Sequence, residues 1–217
     1  MALEKGIYPS SVDQSLWESP VWIIPTGFSN TFNQELLGEL YTIANNVKLN
    51  LDPAVGGSLL DYTDANPKLA ELLATKKQVI TEVVNRYLPP AHTAKFNPIS
   101  SWLNVKEQDE VIEMHGHPDS TIACTYYITT STEGGELYYL DTGRIGVHDT
   151  NIKYIKPNNG DLIFFPSYVL HGVTANKDSA LRVSLSTDYS YTLTNDSQDQ
   201  LTLTSWVDSM LKIKGLL

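Results

Sequence analysis

Three apolar runs in the second half of the chain decide the fold: TIACTYYIT at residues 121–129, GDLIFFP at 160–166 and LRVSLSTDY at 181–189. Each run is short, rich in β-branched and aromatic residues, and bounded by turn-forming residues, which is typical of β-strands. Eight short strands with polar turns indicate a sandwich or jelly roll rather than alternating strands and helices. The other five predicted strands lie near residues 99–106, 110–116, 136–140, 152–156 and 169–174.

Upstream of these strands, two stretches have the apolar spacing of amphipathic helices. The first covers about residues 31–47, after a short predicted strand at 21–24. The second begins at Asn66-Pro67, where an Asn cap and a first-turn Pro are both favoured, and ends before Pro89-Pro90. Two helices of this kind need a sheet to cover.

The chain length, 217 residues, suits a single domain with a sizeable core. We expect three parts within it. Residues 1–98 form a helical and extended support region, residues 99–190 form the β-rich core, and residues 191–217 form a tail with the pattern of a helix. The apolar face of that tail could pack against another copy, so a homo-oligomer is one possible state.

Composition and charge exclude several classes of partner. The formal net charge is −10, which argues against nonspecific binding to nucleic acid or to anionic membranes. The only cysteine, Cys124, excludes an intrachain disulfide and favours a reducing compartment. No signal peptide and no membrane-spanning run is visible, so we expect a soluble, cytoplasmic protein.

His115 and His117 are the first residues that indicate chemistry. Residues two apart on an extended strand point to the same face, so these imidazoles would project side by side. Imidazole is a suitable ligand for iron, zinc, copper or nickel. The pair alone is a moderate signal, because a single histidine is more often structural or exposed.

His171 and Arg182 strengthen that signal. A turn at residues 176–179 is expected to pair their two strands directly, which places His171 opposite Ser184. His171, Arg182 and Ser184 would then face one interior. A buried arginine needs a carboxylate partner, and either a bound dicarboxylate or an internal Asp or Glu could provide it.

The ordered set resembles the catalytic core of the Fe(II)- and 2-oxoglutarate-dependent oxygenases, over residues 102–188. That family has a His-x-Asp pair, a distal His and, about ten residues further on, an Arg or Lys. The likeness is strongest to prolyl-hydroxylase-like members and to a branch written His-x-His-Pro. The matching residues are His115-Gly-His117, GGEL at 134–137, the run from Lys156-Pro157 to Phe165-Pro166, His171 and Arg182-Val-Ser184.

The resemblance implies a mainly β protein with flanking helices, whose core is a double-stranded β-helix (a jelly roll, cupin-like). The implied metal ligands, which form the catalytic centre, are His115, His117 and His171. The implied 2-oxoglutarate contacts are Arg182 and Ser184 at its far carboxylate, with Tyr127 and Asn104 beside them.

One departure from the family pattern affects the metal site. Where the family has Asp, this chain has His117, so the usual triad becomes three histidines. A competing register uses His117 and Asp119 as the His-x-Asp pair and moves His115 out of the ligand set. Three neutral imidazoles would leave the site one positive charge higher, which should tighten binding of an anionic cosubstrate.

The activity that the resemblance implies is a dioxygenase reaction. It would use 2-oxoglutarate and O2, supported by ascorbate, to hydroxylate an unactivated carbon and release succinate and CO2. A peptidyl side chain such as proline is the leading substrate, on fold analogy alone. Two alternatives remain open: a cupin-type metalloprotein that does not use 2-oxoglutarate, and a noncatalytic jelly-roll module for binding or assembly.

Overall fold

The computed structural model describes residues 20–47, 58–88, 92–141 and 152–195. Its helices are α1 (Asn30–Val47), a 3-10 helix (Leu59–Tyr62) and α2 (Pro67–Asn85). Its strands are β1 (Trp22–Pro25), β2 (His92–Lys106), β3 (Ile112–His115), β4 (Ile122–Thr129), β5 (Leu137–Leu140), β6 (Ile152–Ile155), β7 (Asp161–Pro166), β8 (His171–Val173) and β9 (Arg182–Asn195).

The strands form two antiparallel sheets. The major sheet has the order β1-β7-β4-β9-β2, and the minor sheet has the order β3-β8-β5-β6. One apolar cluster, which includes Tyr127, Phe165 and Val173, joins strands of both sheets. The mainly β jelly roll with flanking helices that we predicted is therefore confirmed.

The helices cover the other face of the major sheet, as their apolar stripes predicted. The larger core cluster combines α1 and α2 with alternate residues of the strands, among them Val183, Leu185 and Tyr189 of β9. Tyr126 on β4 faces this layer, where its hydroxyl donates to Asn33 Oδ1 over 2.6 Å. The alternate face of β9, which begins with Arg182, is left to face the minor sheet.

The start of α2 is capped by a residue that the sequence pattern does not indicate. The side chain of Asn66 donates to Tyr62 O and makes no capping bond. Instead, the carboxylate of Glu39 on α1 accepts from the backbone N–H groups of Lys68 and Leu69, at 3.0 and 2.9 Å. A carboxylate at a helix N-terminus is favourable, so this contact stabilises α2 and fixes it against α1.

The direct pairing that we predicted between the strands of His171 and Arg182 is wrong. β8 lies in the minor sheet beside β3 and β5, whereas β9 lies in the major sheet between β4 and β2. Between them the chain crosses from one sheet to the other. Asn176 holds this crossing, because its side chain donates to Lys106 O and Ala180 O and its backbone N–H donates to Glu110 O.

Among the residues that the structure describes, no helix has the length and apolar character required to cross a membrane. The predicted tail begins inside β9, which continues to Asn195, and the rest of it lies outside the described residues. β2 runs through residues 98 and 99, so the support region and the core share a strand.

Candidate metal and cosubstrate site

Three histidine rings meet between the two sheets. His115 and His171 are directly opposed in the β3–β8 ladder, and their ring centroids are 4.4 Å apart. His117 lies just beyond the end of β3, where its backbone N–H donates to Ser167 O over 3.0 Å. Its ring is 5.1 Å from that of His115 and 5.2 Å from that of His171. One ring nitrogen from each residue lies within 4.8 Å of the other two.

Hydrogen bonds select which nitrogen of each ring is free. Nδ1 of His115 lies 2.8 Å from Glu113 O, and Nδ1 of His171 lies 2.9 Å from Val169 O. Because a carbonyl oxygen only accepts, both Nδ1 atoms must carry the proton. Nδ1 of His117 contacts a carboxylate in the same way, at 3.1 Å. Neutral rings in this tautomer present an unprotonated Nε2, which is the form that binds a metal.

Burial keeps one of these rings neutral. His171 is buried, and removal from water lowers the pKa of its imidazole to about 3, with smaller contributions from His115 and His117. The ring edge also packs against Phe165, with centroids 4.6 Å apart. At neutral pH His171 therefore offers a lone pair rather than a positive charge.

Arg182 projects into the same space from the major sheet. Its side chain is only 1% exposed, and none of its three guanidinium nitrogens has a hydrogen-bond partner among the described residues. The guanidinium carbon lies 5.0 Å from the centroid of the Tyr127 ring, a cation–π distance. Burial lowers the pKa of Arg182, and the Tyr127 hydroxyl partly opposes this shift, although it makes no hydrogen bond of good geometry to the guanidinium. The group stays charged. The sequence allowed an internal Asp or Glu as the partner of Arg182. Among the described residues, no such carboxylate bonds to its guanidinium.

The remaining predicted cosubstrate contacts form one row across the major sheet. Ser184 on β9 pairs with Tyr127 on β4 at one side and with Asn104 on β2 at the other. Asn104 already donates to Ser186 Oγ over 2.9 Å. One pocket of about 460 Å³, counting its open mouth, is lined by all seven predicted residues. They are Asn104, His115, His117, Tyr127, His171, Arg182 and Ser184.

The sequence reasoning missed two residues that hold His117. Asp188 Oδ2 is the carboxylate oxygen near its Nδ1, and the indole of Trp102 stacks on the imidazole with centroids 5.7 Å apart. The two-residue alternation of side chains along a strand could have identified Asp188. Arg182 and Ser184 were assigned to one face, and the same alternation continued along β9 reaches Ser186 and Asp188.

Asp119, the carboxylate of the competing register, lies apart from this group. It is exposed in the turn after Pro118, and the cluster of potential metal ligands contains three histidines without it. The geometry thus favours the register in which His115 and His117 are both ligands.

The fold and the site define a jelly-roll protein with a histidine-lined pocket that could hold a metal ion, and a buried cation beside it. Residues 100–188 match the model of a sequence family described as "Putative 2OG-Fe(II) oxygenase". That region of the chain is therefore similar in sequence to the 2OG-Fe(II) oxygenases, a class of oxidoreductases. No sequence among curated proteins gives a significant match.

Solved structures of this fold cover most of the chain at low identity. The non-heme alpha-ketoglutarate-dependent carbocyclase SnoK from nogalamycin biosynthesis is 15% identical, with a TM-score of 0.59 over 82% of each chain. HygX from Streptomyces hygroscopicus, with nickel and 2-oxoglutarate bound, is 13% identical, with a TM-score of 0.57 over 80% of this chain and 83% of that one. A Pseudomonas putida prolyl-4-hydroxylase is 14% identical, with a TM-score of 0.52 over 79% and 88%. At such identities the likeness concerns the fold alone.

Proposed function

We propose that this protein is an Fe(II)- and 2-oxoglutarate-dependent dioxygenase that hydroxylates an unactivated carbon and releases succinate and CO2. The observation that carries the proposal is the pairing of two features across one pocket. Three imidazoles present free Nε2 atoms from one side, and a buried guanidinium without a described partner faces them from the other. Together these features match a metal ion and a dicarboxylate.

His115, His117 and His171 would bind the iron through Nε2. A set of three nitrogen ligands would suit a non-heme iron that also takes a 2-oxo acid and O2. Bound iron supplies the oxidative chemistry that side chains lack. The chain itself binds, orients and shields the reactants.

Arg182 would bind the far carboxylate of 2-oxoglutarate through two parallel N–H···O bonds. Its planar donor pattern fits a carboxylate, and removal from water strengthens each charge-assisted bond. Ser184 Oγ lies on the same strand face and can donate a further hydrogen bond. Tyr127 packs its ring against the guanidinium and so helps to fix its plane.

The two alternative functions explain less of this pocket. A cupin-type metalloprotein that does not use 2-oxoglutarate would leave the guanidinium of Arg182 buried without a counter-ion. Burial of an unpaired charge costs roughly several kcal/mol. A noncatalytic module would have no use for three histidines with free Nε2 atoms. A peptidyl side chain such as proline is the substrate we propose first, supported by the prolyl-4-hydroxylase among the proteins of similar fold.

Succinate release tests the proposal directly. Purified protein is incubated with iron(II), ascorbate and 2-oxoglutarate, with and without proline-containing peptides, and succinate and hydroxylated peptide are measured. We expect iron-dependent succinate formation that His171→Ala abolishes. The proposal fails if the protein neither turns over nor binds 2-oxoglutarate.

Two alanine variants test which ligand register is correct. We expect the Asp119→Ala protein to keep its metal content, because that carboxylate lies outside the histidine cluster. His115→Ala should lose most of it. The opposite result would establish His117 and Asp119 as the ligand pair.

A further inference from the structure

The three histidines differ in how their rings are oriented. His115 and His171 each bond through Nδ1 to the carbonyl oxygen of the residue two positions earlier, Glu113 and Val169. His117 instead bonds to Asp188, a side chain 71 positions later on β9 of the other sheet. Among these three rings, only that of His117 is hydrogen-bonded through Nδ1 to a side chain distant in the sequence.

Several contacts act together on His117. Its side chain is 13% exposed and that of Asp188 is 15% exposed, so the contact between them is largely shielded from water. Trp102 stacks on the imidazole at an interplanar angle of 29°. The backbone N–H is also bonded, to Ser167 O. These contacts leave His117 few alternative positions from which to present Nε2.

The charge of Asp188 is also directed at this ring. Its second oxygen, Oδ1, is buried and has no hydrogen-bond partner among the described residues. The contact with His117 is thus the one hydrogen bond that the described residues provide for this carboxylate. The histidine cluster itself contains no carboxylate. Asp188 brings one negative charge next to it, through the imidazole of His117.

We propose that Asp188 is a positioning residue for the metal site, acting through His117. Its carboxylate fixes the tautomer and plane of the ring and makes Nε2 a stronger donor to a bound cation. This inference rests on the proposed function, because it assumes that the three histidines bind a metal. The family pattern has a negatively charged Asp where this chain has His117. Asp188 would supply that negative charge from behind the imidazole.

Metal affinity tests this role without reference to turnover. The full chain is titrated with Ni(II) by calorimetry and with Co(II) by visible absorption, for wild type and Asp188→Asn. Asparagine has the same shape but no charge. We expect Ni(II) affinity to fall by roughly 10- to 100-fold, the range typical of lost outer-shell partners, and the Co(II) spectrum to change. Asp64→Asn, the same change at an exposed carboxylate, is the matched control and should bind as wild type does.

A double-mutant cycle separates positioning from a general structural effect. In His117→Asp the ligand is itself a carboxylate, so Asp188 has no imidazole to orient and the two like charges repel. We expect Asp188→Asn to leave metal affinity unchanged or to raise it in that background. The loss of affinity that Asp188→Asn causes beside His117 should therefore disappear or change sign beside Asp at position 117. The comparison of these two His117→Asp proteins remains informative even if the single Asp188→Asn variant does not fold.

Two results would overturn the inference while the proposed function stands. One is an Asp188→Asn protein with wild-type Ni(II) affinity and Co(II) spectrum. The other is an equal loss of affinity in both backgrounds, which would indicate a structural role. If the wild-type chain binds neither metal, the proposed function fails first and this inference fails with it.

Discussion

At the level of single residues, the burial of Arg182 favours the binding of a carboxylate beside it. A charge removed from water costs several kcal/mol, roughly, unless it is paired and hydrogen-bonded. Arg182 is 1% exposed, and its nitrogens have no described partner. The ring of Tyr127 offsets only part of this cost, since a cation–π contact contributes about 0.5–2 kcal/mol. A bound carboxylate would supply the rest.

Arg182→Lys should weaken 2-oxoglutarate binding and leave metal content intact. Lysine keeps the charge but loses the planar pair of donors, and a charge-assisted hydrogen bond contributes roughly 1.5–3 kcal/mol. We therefore expect the Kd for 2-oxoglutarate, measured by calorimetry on the Ni(II)-loaded protein, to rise about 10- to 100-fold. Arg86→Lys, on the exposed C-terminal end of α2, is the matched control. An unchanged Kd would reject Arg182 as the anchor.

At the level of elements, the contact of α2 with β9 contains a second buried cation. Lys76 on α2 is fully buried, and its Nζ donates to Leu185 O at 2.9 Å and to Thr187 Oγ1 at 2.6 Å. Burial lowers the pKa of this lysine from 10.5 to about 8. The helix is thus attached to the back of the strand whose other face carries Arg182, Ser184 and Asp188.

The pKa of Lys76 predicts a pH dependence of stability. Because the folded pKa is below the unfolded value, the unfolded chain binds more protons between about pH 8 and 10.5. The free energy of unfolding should therefore rise with pH through that window. Relative to Lys76→Met, the wild type is expected to gain about 2 kcal/mol between roughly pH 7 and 9.5.

Urea unfolding of both metal-free proteins, followed by tryptophan fluorescence, measures this difference. Subtraction of the variant removes the titration of groups that do not interact with Lys76, such as Tyr126. If the difference in unfolding free energy between the two proteins is constant over this pH window, the pKa of Lys76 is not lowered in the folded state.

The positions of the strands could be predicted because they depend on the local residue pattern. The pairing of the strands could not be predicted in this way. All eight core strands were predicted in the right order, within a few residues except at the ends of β2 and β9. The turn formers at 176–179 looked like a hairpin turn, yet Asn176 makes them a crossing between sheets. Local sequence determines that a chain turns, but the bonds of Asn176 to Lys106 and Glu110 require the end of β2 and the segment before β3 to lie beside it.

At the level of the whole molecule, the site needs both sheets. The minor sheet supplies His115 from β3 and His171 from β8, and the loop after β3 supplies His117. The major sheet supplies Arg182 and Ser184. A ligand that bridges metal and guanidinium would therefore join the sheets across the jelly roll. Binding of this kind stabilises the folded state by RT ln(1 + L/Kd), where L is the free ligand concentration.

Thermal unfolding should show that metal and 2-oxoglutarate act in sequence. A ligand at a hundredfold its Kd adds about 2.7 kcal/mol, or roughly 5–10 °C in Tm for a chain of this size. We expect Mn(II) to raise Tm alone, and 2-oxoglutarate to raise it further only when Mn(II) is present. Pyruvate, which lacks the far carboxylate, is the matched control and should add little. A full 2-oxoglutarate shift without metal would contradict the bridging arrangement.

The sequence by itself determined the kind of elements, the side-chain types that could hold a ligand and the facing of alternate residues, because each depends on local spacing and side-chain chemistry. It identified seven residues that line one pocket. Only the tertiary structure decided that His171 and Arg182 reach that pocket from different sheets, and that Asp188 and Trp102 hold His117. Those contacts join positions far apart in the chain, and they form only when the two sheets pack against each other.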